Sequence, residues 1–250
     1  MMMQQERLSV SAPQKATFLT ALRGELEEEP ILKFRLTYQG PLRATQREAF
    51  EGQVDRLASH KQDIRKCFHR QLKQLWKTND FLRDYKRHPD VSIDSRSISS
   101  SAAHLGSKQD KIPLVEYISK QHREHGYRFV PLVRDEFSLL CSLDILFLRR
   151  DIPGSAIQAG DIDNRVKTII DGLRKPKYLN ELKGNETPGD GEDPFFCLLE
   201  DDKLVSHFSC ETDTLLDEII AGEEDQRKAR AIITVEVRPY FPTFFNMAFS

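Results

Sequence analysis

The twelve residues from Phe137 to Leu148 (FSLLCSLDILFL) are predominantly apolar at both odd and even positions, and Asp144 is the one charge among them. A run of this kind has to be buried on two sides. At a dozen residues it falls short of the ~20 apolar residues that a bilayer-spanning helix needs, so it is expected to form a strand at the centre of a sheet. The rest of the chain must then supply flanking strands and a covering layer. The N-terminal MMMQQERLSV lacks the charged region and apolar run of a secretory signal, so a cytoplasmic protein without a membrane partner is expected.

Flanking strands are legible in the alternation of apolar and polar residues. Ile31 to Gln39 places Leu32, Phe34, Leu36 and Tyr38 on one face and Lys33, Arg35, Thr37 and Gln39 on the other, the period of a half-buried strand. Ala231 to Pro239 repeats the pattern, further strands are expected at Tyr127 to Val133 and Leu204 to Cys210, and the apolar Phe195 to Leu199 leads into an acidic triplet. Apolar residues at steps of three and four predict a long helix from Gln46 to Thr78, with Trp76 in the core, and a second helix from Asn164 to Lys175. Leu114 to His125, stopped by Gly126, reads as a short third helix. The order of elements gives an α/β (α+β) fold, a single mixed β-sheet with helices packed on it. Residues 1–30 read as a flexible arm, 31–240 as one domain with Ser-rich and Gly/Pro-rich insertions at 92–111 and 176–194, and 241–250 as a tail.

The net charge of -2 excludes a uniformly basic nucleic-acid binder, but the charge is unevenly placed. Lys61 to Asp90 holds nine Lys and Arg against four Asp, whereas Glu181 to Asp225 holds fifteen acids against Lys183 and Lys203. Either both stretches are solvated surface, or the first holds a polyanion and the second a cation. Cys67, Cys141, Cys197 and Cys210 show neither finger spacing nor a disulfide framework and are expected to be packing residues. His122 and His125 are not in a metal-binding spacing and are expected on a solvated face.

The residues with most chemical content are Gly160-Asp161-Ile162-Asp163-Asn164, then Lys167 and Asp171, and the acidic triplet Glu200-Asp201-Asp202. If the helix starts at Asn164, Asp161 and Asp163 precede it in extended chain. Two carboxylates so spaced point to one side and could share a hard divalent cation; the alternative is an ordinary helix cap. Asp163, Lys167 and Asp171 would follow one another along a helical stripe. Three consecutive acids repel each other, and a bound cation or a basic neighbour would relieve the repulsion.

Taken together, GDIDNRVKTIIDGL and the later EDDKLV resemble the RusA-like Holliday-junction resolvases, which carry D-x-D-N-x-x-K-x-x-x-D-x-L followed by D-D-x-x-V. The resemblance implies a RusA-like fold and a metal-dependent, structure-selective endonuclease that hydrolyses phosphodiester bonds in branched DNA. It implies metal ligands at Asp161, Asp163 and Asp202, a catalytic lysine at Lys167, and support from Asn164, Asp171 and Asp201. Mg²⁺, or Mn²⁺ in its place, is the expected cofactor, with no nucleotide cofactor, and a homodimer is the expected assembly. The phosphate-binding surface is expected on the basic helix at Arg65, Arg70, Lys73 and Lys77. Two other readings are a non-catalytic DNA-binding or regulatory protein that keeps the motif, and a metal-dependent nuclease acting on other DNA or RNA.

Overall fold

A computed structural model describes residues 32–44, 55–87, 111–149, 161–216 and 228–241, together with 243, 246 and 249. The expected arm at 1–30, almost all of the Ser-rich insertion and most of the tail lie outside the described residues. The elements, in chain order, are β1 (Leu32–Pro41), α1 (Ala58–Thr78), α2 (Asp80–Asp84), β2 (Lys86–Arg87), β3 (Ile112–Pro113), α3 (Leu114–Gln121), β4 (Arg123–Glu124), β5 (Tyr127–Val133), β6 (Leu139–Arg149), α4 (Asp161–Leu173), β7 (Phe195–Leu199), β8 (Val205–Thr214) and β9 (Lys228–Pro239). The fold is α+β, as expected.

The expected single sheet is corrected to three. The largest has the order β1-β9-β6-β8, in which β9 runs antiparallel to both β1 and β6, and β8 runs parallel to β6. A second sheet joins β4, β5 and β7, with β5 and β7 parallel, and β2 pairs with β3. The break falls between the two apolar runs that follow Gly126. A 3-10 turn at Asp135–Phe137 ends on Ser138 in the left-handed region, φ 52°, and there the chain leaves the sheet of β5 and enters that of β6. The apolar run is interior to its sheet, between β9 and β8.

On β6, Leu139, Cys141, Leu143, Ile145 and Phe147 are buried, and they adjoin the buried face of β9 formed by Ala231, Ile233, Val235 and Val237. Helix α1 covers this layer with Ile64, Phe68, Leu72 and Trp76, one residue every four, and α4 adds Val166, Ile169 and Leu173. A fully buried side chain of this size contributes about 1.5–3 kcal/mol relative to exposure. Cys141 and Cys197 pack as expected, and burial pushes both thiols up to about 12. The helix expected up to His125 ends at Gln121. His125 and Gly126, φ 53° and 81°, form a left-handed two-residue turn between β4 and β5, the geometry that matches strand twist.

The two long helices are in tight contact at Gly172. A Cβ there would lie 2.5 Å from Cγ2 of Ile64, a residue with no exposed surface, so neither helix has room to yield. Gly172→Ala should therefore destabilise the protein by about 1–3 kcal/mol, the usual cost of overpacking. In the Ile64→Ala background the same change should cost measurably less, since the clashing methyl is gone. Urea melts of the four proteins in this cycle check the coupling, and simple additivity would show that this packing is not the constraint.

Candidate functional site on the helix Asp161–Leu173 and the acidic turn

Helix α4 begins at Asp161, three residues earlier than the spacing predicts. The expected extended Asp-x-Asp is thereby corrected: positions 161 and 163 sit about 200° apart around a helix axis instead of side by side. Asp163 is exposed, Asn164 and Lys167 are half-buried, and Asp171 is buried. The side chain of Asp161 lies outside the described residues.

Asp171 serves the interior rather than the stripe with Lys167. Its carboxylate receives Lys61 Nζ at 2.8 Å and Arg174 Nη2 at 3.0 Å. Lys61 also pairs with Asp55 at 3.1 Å, and Arg174 pairs with the fully buried Glu181 at 3.1 Å. Arg65 completes the group, donating from Nε to the Arg174 carbonyl, from Nη2 to the Asp171 carbonyl and from Nη1 to Gln62, with Glu181 3.6 Å away. Lys61, Arg65 and Arg174 thus face Asp55, Asp171 and Glu181. Burial opposes the charge on Asp171, but Arg174 and Lys61 outweigh it and hold the carboxyl below its ordinary value. Burial lowers Arg65 to about 10, which still leaves it charged at neutral pH.

The acidic triplet follows β7. The Glu200 amide donates to the Val133 carbonyl, and its carboxylate accepts the Asp135 amide. Asp201 caps the next 3-10 turn by accepting the Lys203 amide at 3.0 Å, while Asp202 is exposed. Of the two means of relieving repulsion in this triplet, the structure contains the basic neighbour. Lys177 Nζ lies 3.0 Å from Asp202 and 3.4 Å from Asp201. Asp201 sits below its ordinary value although burial opposes this, because Asp202, the Lys203 amide and Lys177 all favour its charged form.

The two acidic elements leave opposite ends of α4. The Lys175 amide donates to the Leu199 carbonyl at 3.0 Å, which places the triplet by the C-terminal end of the helix. Asp163 lies eleven residues before Arg174, about 16 Å along the axis. Among the described residues, no three His, Cys, Asp or Glu side chains come together as metal ligands. The described acids therefore do not fit a closed divalent-cation site in this arrangement. Asp144 stands apart, exposed on the far face of the main sheet, where it accepts the Ser209 hydroxyl at 2.6 Å.

The basic helix is also reorganised relative to expectation. Arg65 is buried at 1% exposure and cannot contact a phosphate from that position. Arg70 and Lys77 are exposed, whereas Lys73 donates to the Gly191 carbonyl at 2.5 Å. Lys66 pairs with Glu192, and His69 accepts the Phe196 amide on Nδ1 while its Nε2 meets the Gly191 carbonyl at 3.2 Å. The acidic insertion thus lies along one flank of α1. Sequence reasoning missed Lys177, Lys61, Arg174 and Glu181. Only Lys177 had a legible signal, as a lysine just upstream of an otherwise acidic stretch.

A cleft of about 350 Å³ borders the turn between Glu124, Lys175, Lys177, Glu200, Asp201 and Lys203, so its walls alternate in sign. No protein-family model matches the chain, and neither does any curated protein or solved structure.

His122 lies near this cleft, half-buried instead of on the expected solvated face. Burial first, and then the charges of Arg134 and Lys175, lower it to about 4. It is neutral in the folded protein, whereas the unfolded chain takes up a proton near pH 6.5. Its contribution to stability is therefore complete above pH 6.5 and is lost as the pH falls toward 4. Urea melts across that window should show a shallower pH dependence for His122→Gln than for the parent. Equal slopes would rule this histidine out as the source.

Proposed function

We propose that this chain is a divalent-metal-dependent endonuclease acting on branched DNA, of the kind its two motifs resemble. The observation that carries this reading is the joint occurrence, in order, of Asp161, Asp163, Asn164, Lys167 and Asp171 on one helix and of Asp201-Asp202 before a strand. The solvent exposure of Asp163 supports it, since its carboxylate is open to a ligand. Mg²⁺ or Mn²⁺ is the cofactor the reading entails. The described acids stand at two ends of α4. A two-fold junction calls for two equivalent centres, which a C2 dimer supplies. Four free cysteines fit a reducing, cytoplasmic setting, and no described helix is long and apolar enough to cross a membrane.

A second reading has its own observation. Lys177 already balances the acidic pair, as it would in a DNA-binding protein that keeps the motif without using it. Incubation of a labelled four-way junction with Mg²⁺, with and without EDTA, separates the two. The nuclease reading expects cleavage that EDTA abolishes, with the rate falling at least about 100-fold in Asp163→Asn and in Asp202→Asn. Binding without cleavage under every metal condition would favour the second reading.

DNA contact is proposed for the open part of α1. Arg70→Glu combined with Lys77→Glu should weaken binding to junction and linear duplex alike and flatten the log-log salt dependence by about 0.9 for each phosphate that is no longer neutralised. Glu192→Gln, which releases Lys66, should tighten binding. A salt slope unmoved in the double variant would remove α1 from the interface.

A further inference from the structure

Among the described residues six lysine and arginine side chains are buried, and five of them face a carboxylate. Lys61 meets Asp55 and Asp171, Arg65 and Arg174 meet Glu181, and Arg87 and Arg134 meet Glu136. The sixth is Arg149, the last residue of β6, at 4% exposure. Among the described residues its guanidinium makes no ion pair and no hydrogen bond, and it rests 5.9 Å from the centroid of the Phe147 ring. A buried charge without a partner opposes folding. Packing alone would be served better by an apolar side chain of the same length, so the charge points to a ligand that completes it.

The register fixes where that ligand would sit. Arg149 is level with Ala229 on β9 and Thr214 on β8, at the end of the main sheet where β1 also finishes. Helix α4 crosses this end. On one side the Thr168 hydroxyl donates to the carbonyl of Arg43, just past β1, at 2.9 Å. On the other, burial raises the Cys210 thiol on β8, and the charges of Arg149 and Asp163 then act on it in opposite senses, which places both near that sulfur. The stretch from Asp163 to Thr168 therefore spans the two inner strands β9 and β6, and Arg149 lies beneath the N-terminal half of α4.

We infer that Arg149 and the first turn of α4 form a binding site for a phosphate group. The first turn of a helix offers backbone N–H groups that lack intrahelical acceptors, at the positive end of the dipole. Arg149 adds a planar fork of donors that matches phosphate oxygens, and the phosphate supplies the counter-charge that the fold leaves out. Asp163 opposes an anion here, but it is exposed, so solvent screens the repulsion. The inference goes beyond the nuclease reading, because it rests on a buried charge and not on the acidic motif. Its ligand is either a phosphodiester of a nucleic-acid backbone or the phosphomonoester at the end of a nucleotide.

Urea melts of the full chain at constant ionic strength test the site without reading cleavage. Arg149→Met keeps the aliphatic length and removes the charge. Without phosphate it should unfold at a urea concentration equal to or above the parent's, since an uncompensated buried charge is gone. Inorganic phosphate stabilises folded proteins in general by exclusion from their surface, so the quantity read is the extra shift of the parent over the variant. That excess should reach about 11-fold in the folding equilibrium constant at ten times the Kd, and acetate should produce none. Dimethyl phosphate and methyl phosphate then separate the two sources: an excess shift with the diester assigns a backbone phosphate, and one with the monoester alone assigns an end phosphate. A Met variant less stable than the parent without phosphate, equal phosphate shifts in the two proteins, or an excess shift with acetate as large as with phosphate would each overturn the assignment. None of these outcomes bears on metal-dependent cleavage, so the nuclease reading stands or falls separately.

Discussion

A neutral set of buried charges organises this molecule. Lys61 and Arg65 come from α1, Arg174 from the end of α4, Asp171 from α4, Asp55 from the approach to α1, and Glu181 from a 3-10 turn in the insertion. Three cations and three carboxylates cancel, so the group can lie between packed helices without a net charge to solvate. Its weakness is that no member is dispensable. Removing one partner of a buried pair leaves the other uncompensated, at about 3–5 kcal/mol. The set also reaches the candidate site, because Glu181 accepts the Lys177 amide at 3.1 Å and so fixes the residue whose ammonium sits on the acidic turn.

Local periodicity carried most of the strands. β1 and β9 alternate because one face of their sheet is buried and the other is open; β6 lies in the same sheet and keeps Leu140, Leu146 and Leu148 half-buried on that second face. Periodicity contains no information about partners, however, so the division between the sheets of β5 and β6 was not legible. It depends on a single turn ending at Ser138. Arg65 shows the same limit from another side. A basic residue on a helix is expected to face water unless its counter-charge is visible, and here the counter-charges lie more than a hundred residues away in sequence. The early start of α4 was hidden because aspartate suits both a cap and a first helical turn.

The local neutrality of the interior recurs on the surface. The charge counts suggested a basic half and an acidic half with separate tasks, yet the folded chain brings them together. Lys66 meets Glu192, Lys73 and His69 hold the Gly191 carbonyl, and Lys177 meets Asp201 and Asp202. What remains open to a polyanion on α1 is a narrow strip at Arg70 and Lys77. Any DNA-binding mode must therefore use that strip, displace the acidic insertion, or draw on other surfaces.

The pairing of β1 with β9 sets Leu32 opposite Val237 and Pro41 opposite Lys228. Among the described residues, the first strand of the main sheet thus has as its strand partner the last one to leave the ribosome. At about 5–20 residues per second, the synthesis that separates them takes on the order of 10–40 s. During that time the apolar side of β1 has no sheet to join, and β6 lacks its antiparallel neighbour. The sheet at the heart of the fold is therefore assembled after translation of β9 and not progressively along the chain. The nascent protein must keep the long apolar run of β6 from foreign partners until then.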